Sequence, residues 1–547
     1  MKKFLAIALA MAMMLGLFTA CVPGTNSGNN GGNNGGINTN GPTTVEYPLD
    51  TNVTLTMFRN QNSNITSHFD SFGDTPVGQY LSKATGINVV YEDTYADYDA
   101  YWNDMLSTGN YTDLISFNPV NYEGGAVDVI ADGLGIELND VIDAYMPNFK
   151  AYLAKNPAVD KAIKTDDGIY YYIPYVNSNT GAYSYGAYYR EDMLKAMGET
   201  EPTTIEGWYN LLKKVKATYG ITPVSCDLTG LIQYGMMAMA YGVGSNSTGN
   251  HFAVDSDGKV FYQRGGEEWK AFLKEMNKWY EEGLIDTDVA AIKSADVNAK
   301  MIQGNVFLSM GWLTGAMQNV QVGGAQKIEG FQLKAVGTPA LTAGQQIEYS
   351  YATSLVSGMG TTISASCKNV EVAARFLDYL FSEEGNLAAN YGEPGVGYDM
   401  VDGIPTFHAD VVKGNLLPEG YNQSQSAARY SAATTGLMAM VKDEYYYEQL
   451  MDEECCAEAI YIWMNSAVGG GHMHELPNLS YDEDEAEAIS TTVANLKTAS
   501  GEWATLFIRG EKDVDADWNE YIKTIESMGL KAALIIMNDA MERYADR

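Results

Sequence analysis

The sequence is poor in cysteine, with five among 547 residues. One of them, Cys21, closes the leading apolar run. The other four, Cys226, Cys367, Cys455 and Cys456, are too few and too scattered for a disulfide framework. Cys455 and Cys456 are neighbours in "MDEECCAEAIYIWM", which reads as a helix, and a bond between neighbours would strain the backbone. Buried thiols are expected, with a Cys226–Cys367 bridge left as an alternative. Positive charge is also scarce: 34 Lys and Arg stand against 69 Asp and Glu, a net charge of −35, which becomes −37 once Lys2 and Lys3 are removed. Such a chain repels nucleic acid and anionic headgroups, which excludes both as main partners. Beyond residue 18 no apolar run is long enough to span a bilayer. No nucleophile elbow, phosphate loop or metal motif is present, and no spacing singles out the carboxylate pair a glycoside hydrolase needs. The expectation is a chain that is not an enzyme and takes no cofactor and no metal. "GGGHMHELP" brings His472, His474 and Glu475 together, but after a glycine-rich loop and with no Cys partner, so it reads as an exposed loop rather than a zinc site. The acidic run Asp482 to Glu487 precedes helical apolar spacing and reads as a helix start whose charge suits the dipole.

What is present begins at the N-terminus. Lys2 and Lys3 precede an apolar stretch from Phe4 to Phe18, of signal-peptide length. Thr19 and Ala20 then lead to Cys21. This resembles a bacterial lipoprotein signal, with Phe18 where that signal usually carries Leu, and implies lipidation of Cys21. The Gly/Asn-rich string that follows buries nothing. Over about 25 residues it spans roughly 25–30 Å, a flexible tether. The body of the protein is thus expected on the extracellular face of a cell membrane, reaching the membrane through a lipid anchor only.

The remaining 500 or so residues are too many for one ordinary core, so two or more lobes are expected. Val53, Leu55 and Met57 alternate with Thr54 and Thr56, a strand signature. "TPVGQYLSKATGINVVYEDT" reads as helix, stop at Gly86, strand. The pattern repeats with a helix from Tyr98, a stop at Gly109 and a strand over Asp113–Phe117. This alternation predicts an α/β lobe with a largely parallel sheet. Ligands of such sheets sit at the carboxyl ends of the strands, which nominates Arg59–Asn62, Glu92–Thr94 and Asn118–Tyr122. Arg59 and Asn118 are the candidates taken from these loops. "FAVDSDGKVFY" reads as a hairpin with an Asp-Gly turn. Trp269, Leu273, Met276 and Tyr280 recur at helical spacing before Gly283, so Trp269 and Trp279 are read as core. Val372, Phe376 and Leu380 do the same before Gly385. Pro202 and the Thr203/Thr204 cap signal mark a further helix start. With 38 Tyr and 8 Trp, some aromatics must lie outside the core, and amphipathic rings favour wet binding surfaces.

The order of segments carries a resemblance. "LSKATGINVVYE", "MLSTGNYTDLI", "GLGIELNDVIDAYMPNFKAYLAKNP", "TDDGIYYYIPY", "YYREDMLKAMGETEPTTIEGWYNLLKKVK", "LKEMNKWYEEGLID", "CKNVEVAARFLDYLFSEEGNLAANYGEPGVGY" and "FIRGEKDVDADWNEYIKTIESMGL" follow one another over nearly the whole mature chain. Together they resemble the extracellular solute-binding lipoproteins of bacterial ABC importers, in the branch of the maltose- and alginate-oligosaccharide-binding proteins. The resemblance implies a class II, two-lobed α/β binding-protein fold, with a cleft between lobes joined by crossover strands near Ile173–Tyr185 and Tyr349–Ser357. It implies residues 1–20 as signal, 21–46 as lipidated Cys and tether, 47–176 with 355–410 as lobe 1, and 177–354 with 411–547 as lobe 2. It implies a monomer that captures a carbohydrate, an oligosaccharide, and delivers it to the transmembrane subunits of the importer. A binder or sensor of peptides or other small solutes on the same fold is the alternative, and a glycan-acting enzyme a remote one. Many relatives carry a calcium loop after the helix matching Ile205–Lys216, but "ATYGITPVS" lacks the oxygen ligands calcium requires.

A sugar site wants aromatic platforms with planar hydrogen-bonding side chains. Around the first crossover the candidates are Tyr175, Asn177, Asn179, Tyr183 and Tyr185, each with strand packing as its alternative. Trp312, in the Gly-flanked "SMGWLTG", falls where the family often has an aromatic cleft residue. Tyr351 and Tyr349 lie at the second crossover. "YGEPGVGY" contributes Tyr391, Glu393 and Tyr398 at what resembles the cleft edge. Arg190 in "YYRED" reads as a structural ion pair.

Overall fold

The computed structural model describes residues 45–60, 63–94, 98–177, 183–244, 251–434 and 438–547. The leader, Cys21 and most of the tether lie outside the described residues, as does Asn179. The strands in chain order are β1 (Thr54–Asn60), β2 (Asn88–Thr94), β3 (Leu114–Phe117), β4 (Ile173–Val176), β5 (Tyr185–Arg190), β6 (Thr222–Val224) and β7 (Phe252–Val254). They continue with β8 (Val260–Tyr262), β9 (Val306–Trp312), β10 (Leu333–Val336), β11 (Val356–Ile363), β12 (Tyr398–Val401), β13 (Ile404–Phe407) and β14 (Met440–Val441).

Two sheets organise these strands. The first runs β14-β4-β11-β3-β1-β2, the second β10-β5-β9-β6. In the first, β1 pairs in parallel with β2 and β3, β14 in parallel with β4, and β11 runs against both β3 and β4. In the second, β9 pairs in parallel with β6, and β5 runs against both β9 and β10. Each sheet thus holds one strand entering against the grain, β11 and β5, and each such strand arrives from the other sheet. The chain passes from the first sheet to the second between β4 and β5, and back to the first between β10 and β11.

The local reasons are those of the sequence. Strands β3, β4 and β5 are buried along their whole length, as strands covered on both faces must be. Leu55 and Met57 of β1 are fully buried between exposed or half-buried threonines. The helix Pro76–Thr85 starts on a Thr75 cap and stops at Gly86, whose φ of 70° suits a residue without Cβ. The helix Ile205–Tyr219 is capped by Thr204, and Glu267–Glu281 buries Trp269, Leu273, Met276 and Trp279. The Asp-Gly hairpin is β7–β8. The acidic run opens the long helix Glu483–Ile508, where Asp482 accepts from Glu485 N and Glu485 reaches back to Asp482 N.

Some expectations change. The helix over Val372–Leu380 ends at Tyr379 and not at Gly385, because Ser382 caps a new helix, Glu383–Tyr391, through Gly385 N. Gly385 is there because a Cβ would come within 1.8 Å of Tyr379 O. Tyr391 is therefore the last helical residue, not a loop residue, and Tyr398 begins β12. Strand β14 joins the first sheet from the segment assigned to lobe 2. Cys226, Cys367, Cys455 and Cys456 are free and buried, so no Cys226–Cys367 bridge forms.

Candidate binding cleft

The second sheet offers an aromatic cluster at its rim. Every residue of β9 is buried except its last, Trp312, which is 46% exposed. Strand register sets Trp312 directly opposite Tyr185, the first residue of β5. Their rings meet edge to face with centroids 5.1 Å apart. Tyr351, from the crossing that leads to β11, meets Trp312 at 5.9 Å and Tyr185 at 5.4 Å. Tyr234 closes the group, 5.3 Å from Tyr185 and 4.9 Å from Tyr351. Edge-to-face contacts of this kind are each worth about 0.5–1.5 kcal/mol beyond area burial. They hold the indole in place while leaving nearly half its surface to solvent.

Polar groups border the cluster. Asp227 caps the short helix Leu228–Ile232 through Gly230 N and accepts from Ser294 Oγ at 2.9 Å. Burial, reinforced by Asp227, pushes the Tyr185 phenol well above its ordinary value, so it is a neutral donor. On the other side, Ser184 gives its carbonyl to Leu313 N at 2.7 Å and its hydroxyl to an interaction with Tyr447. The Lys442 ammonium lies over the rings of Tyr447, Tyr446 and Tyr175 at 4.0, 5.4 and 5.9 Å. Burial alone would push Lys442 down, but Tyr175, Tyr447 and Tyr446 together outweigh it and hold the ammonium above the ordinary lysine range. Burial would raise the Tyr447 phenol, yet Lys442 and hydrogen bonds with Lys442 and Ser184 leave it lowered.

The candidates named from sequence separate into groups. Trp312, Tyr185 and Tyr351 come together in the cluster, whereas Tyr175 lies under Lys442. Asn177 is tied to the backbone: its side chain donates to Ser354 O and its N–H to Leu355 O, both at 2.9 Å, joining the two crossings. Tyr183 donates to Gly470 O at 3.0 Å. Asn118 caps the turn after β3, donates to Ser357 O at 3.3 Å and lines a separate cavity of about 510 Å³ with Tyr122, Asn478 and Lys497. Arg59 is not at a loop surface: it is fully buried, with its Nε 3.3 Å from Asp93 Oδ1 and its guanidinium 4.2 Å over Phe72. Tyr391 is fully buried and donates to Asp443 at 2.5 Å. Glu393 pairs with Lys83 on the surface at 2.6 Å. Arg190 forms the ion pair expected of it, two-pronged with Asp192. Tyr349 stacks on His474.

Sequence reasoning missed Tyr234, Asp227, Lys442 and Tyr447. Tyr234 stands before Gly235, a flank like that of Trp312. Lys442 in "MVKDEYYY" carried no comparable signal, because its role depends on β14 docking beside β4. His472 and His474 each meet a carboxylate, Glu475 at 2.7 Å and Glu348 at 2.8 Å. Among the described residues no group of three or more His, Cys, Asp or Glu is placed to hold a metal ion. Nor is any described helix long and apolar enough to cross a membrane.

Two sheets exchanging strands through crossings, with an exposed indole beside them, define a two-lobed α/β binding protein. The family model for bacterial extracellular solute-binding proteins matches residues 78–398, and the chain belongs to that family. A curated relative, the fructooligosaccharide ABC transporter substrate-binding protein FusA of Streptococcus pneumoniae, is 23% identical over 495 residues, covering 85% of this chain and 86% of its own. Lipoprotein LipO of Bacillus subtilis is 23% identical over 397 residues, 68% of this chain and 70% of its own. The crystal structure of the alginate-binding protein AlgQ2 without calcium superposes with a TM-score of 0.74 at 23% identity, covering 91% of this chain and all of that one. FusA in complex with kestose gives 0.71 at 19% identity, over 90% of this chain and all of that one. At these identities the superpositions establish the fold and leave the ligand to the site.

Proposed function

We propose that this protein captures an oligosaccharide at the Trp312 cluster, in a cleft between its lobes, and delivers it to the permease of an ABC importer. The observation that carries the reading is Trp312 itself, an indole held by Tyr185 and Tyr351 with nearly half its surface free. Sugars present C–H faces to such rings and hydroxyls to their polar borders. The ligands for which relatives are named, fructooligosaccharide for FusA and alginate for AlgQ2, support the ligand class. Ligand closes the lobes by hinge motion at the crossings, and the closed form engages the permease. Lipidated Cys21 and the tether to residue 46 hold the monomeric body at the extracellular face of the membrane. Lobe 1 is drawn from residues 47–176 and 355–410, lobe 2 from the remainder, with β14 lent to the first sheet.

The test is thermal unfolding of the body from Val45 onward against oligosaccharides, monosaccharides and peptides. A ligand at a hundred times its Kd adds roughly 2.7 kcal/mol of stability. One glycan class is expected to raise the Tm. A shift with peptides and none with any glycan would overturn the carbohydrate reading.

A further inference from the structure

Two cavities among the described residues are of the size that small-molecule sites have, and their linings carry opposite charge. One, of about 470 Å³, is lined by Glu268 and Glu348 and by no Lys or Arg. The other, of about 510 Å³, is the cavity bordered by Asn118, and there the one charged lining residue is Lys497. The chain carries 69 Asp and Glu against 34 Lys and Arg. A lining with a lysine and no carboxylate therefore runs against the composition. None of its residues belongs to the Trp312 cluster.

One face of the helix Glu483–Ile508 builds a wall of this cavity. Ala486, Ile489, Ser490, Val493, Ala494 and Lys497 line it, and their spacings of three and four place them on a single stripe. The small side chains at 486, 490 and 494 leave that stripe concave. The acids of the helix's first turn, Glu483, Asp484 and Glu485, do not line the cavity. The rest of the lining comes from the turn after β3, the start of β11 and the segment before the helix, with Leu479 and Met537 adding apolar surface. Most polar groups here already have partners. Asn118 Nδ2 donates to Ser357 O at 3.3 Å, Asn478 Nδ2 to Val356 O at 3.1 Å and Tyr122 Oη to Asp132 Oδ2 at 2.7 Å. Lys497 forms no ion pair among the described residues, and Glu485 of the same helix is taken by Arg543 at 2.6 Å.

An apolar body filling this cavity displaces water from its walls and from the lysine at its edge. A neutral molecule would leave that ammonium desolvated without a partner, and an amine would add repulsion. A carboxylate gives the ammonium a charge-assisted hydrogen bond. A bare inorganic anion would leave the apolar wall unused. We infer that this cavity is a second ligand site, separate from the Trp312 cluster, for a small organic carboxylate with an apolar body. Lys497 takes the carboxylate, and the wall of Ile489, Val493 and Leu479 takes the body. The inference does not depend on the oligosaccharide reading.

The experiment is ligand-observed saturation-transfer NMR on the body from Val45 onward, with hexanoate, benzoate and phenylacetate as probes. Amides and amines of the same carbon skeletons are the controls. The expected result is saturable binding of the carboxylates and much weaker binding of the controls. Lys497→Met should weaken the best carboxylate about 10- to 100-fold, the range for a hydrogen bond to a charged group. Ala494→Phe, an exposed helix position on the stripe, should fill the cavity and abolish binding, and Trp312→Ala should leave it unchanged. Equal binding of amides or amines would overturn the inference, as would carboxylate binding that survives both helix variants. Loss of binding in Trp312→Ala would place the carboxylate at the indole instead and overturn the second site. No binding of any of the three carboxylates would overturn it outright.

Discussion

The regions built on the two sheets bury charge in different ways. Around the first sheet, Arg59 is paired with Asp93 and Asp378 accepts from Phe149 N at 2.9 Å and Asn148 Nδ2 at 2.8 Å, while Lys442, just after β14, lies over tyrosine rings. Around the second sheet the core is ring-rich. Trp208, Trp269 and Trp279 are among the largest fully buried side chains, packed with methionines and with the C-terminal helices. There Arg190 still has Asp192, but Arg264 stacks on Trp269 with no carboxylate in ion-pair distance among the described residues, and neither ring nitrogen of His251 has a hydrogen-bond partner among them. The contrast bears on where the proposed binding site lies. A region that spends aromatics on its core carries them to its rim, and the Trp312 cluster is the edge of that same packing.

Breaking the comparison at its strongest point means removing a core ring. Trp269→Ala should cost about 3–5 kcal/mol in chemical denaturation, since both the indole and the support of Arg264 are lost. A cost below 1 kcal/mol would show that the second region does not depend on its rings. In the first region, Arg59→Met should cost about 3 kcal/mol, the low end for breaking a buried pair. The low end applies because Asp93 keeps hydrogen bonds from Ser71 Oγ and Phe72 N.

The pH response sharpens the contrast further, because the two regions titrate with opposite sign. Burial raises the Asp378 carboxyl from 3.8 to about 6, against the opposing hydrogen bonds of Phe149 and Asn148. The folded state therefore binds this proton more tightly than the unfolded chain. Its contribution is fully present below pH 3.8 and is lost as pH rises to about 6. A shift of that size corresponds to about 2–3 kcal/mol. His251 behaves inversely: burial, with Arg264 and Lys497, lowers it well below 6.5, so its contribution is present above pH 6.5 and lost on acidification. Between pH 4 and 6, Asp378→Asn should remove a stability loss on raising pH. His251→Asn, compatible with the left-handed backbone at φ 65°, should remove a loss on lowering it. Unfolding at several pH values checks both, and slopes of the same sign would refute the assignment. The smallest effect belongs to the surface: Glu393→Gln breaks an exposed pair with Lys83 and should change stability by less than about 1 kcal/mol.

Much of the architecture was legible. Alternation in β1, the Gly86 and Gly283 stops, the Thr204 cap and the Asp482 helix start are local signals, and local signals survive folding. The segment order carried the family. The site was legible in part. Trp312, Tyr185 and Tyr351 showed themselves by aromatic type and position along the chain. Arg59 and Tyr391 have the residue types of a sugar site, yet both are buried with partners distant in sequence, Asp93 and Asp443. Nothing local distinguishes an arginine at a strand end that faces a ligand from one that faces a buried aspartate. Lys442 was illegible for the converse reason, since its place over three tyrosine rings follows a two-residue strand that no periodicity marks.

The central claim is that Trp312 is a binding platform rather than a core residue. The most direct measurement is calorimetric titration of the best-binding glycan into the wild type and Trp312→Ala, with the unliganded Tm recorded for both. The expected result is an affinity at least 10-fold weaker in the variant, with an unliganded stability within about 1 kcal/mol of the wild type, as half-exposed edge-to-face contacts allow. An unchanged affinity, or a loss that only follows a collapse in stability, would contradict it.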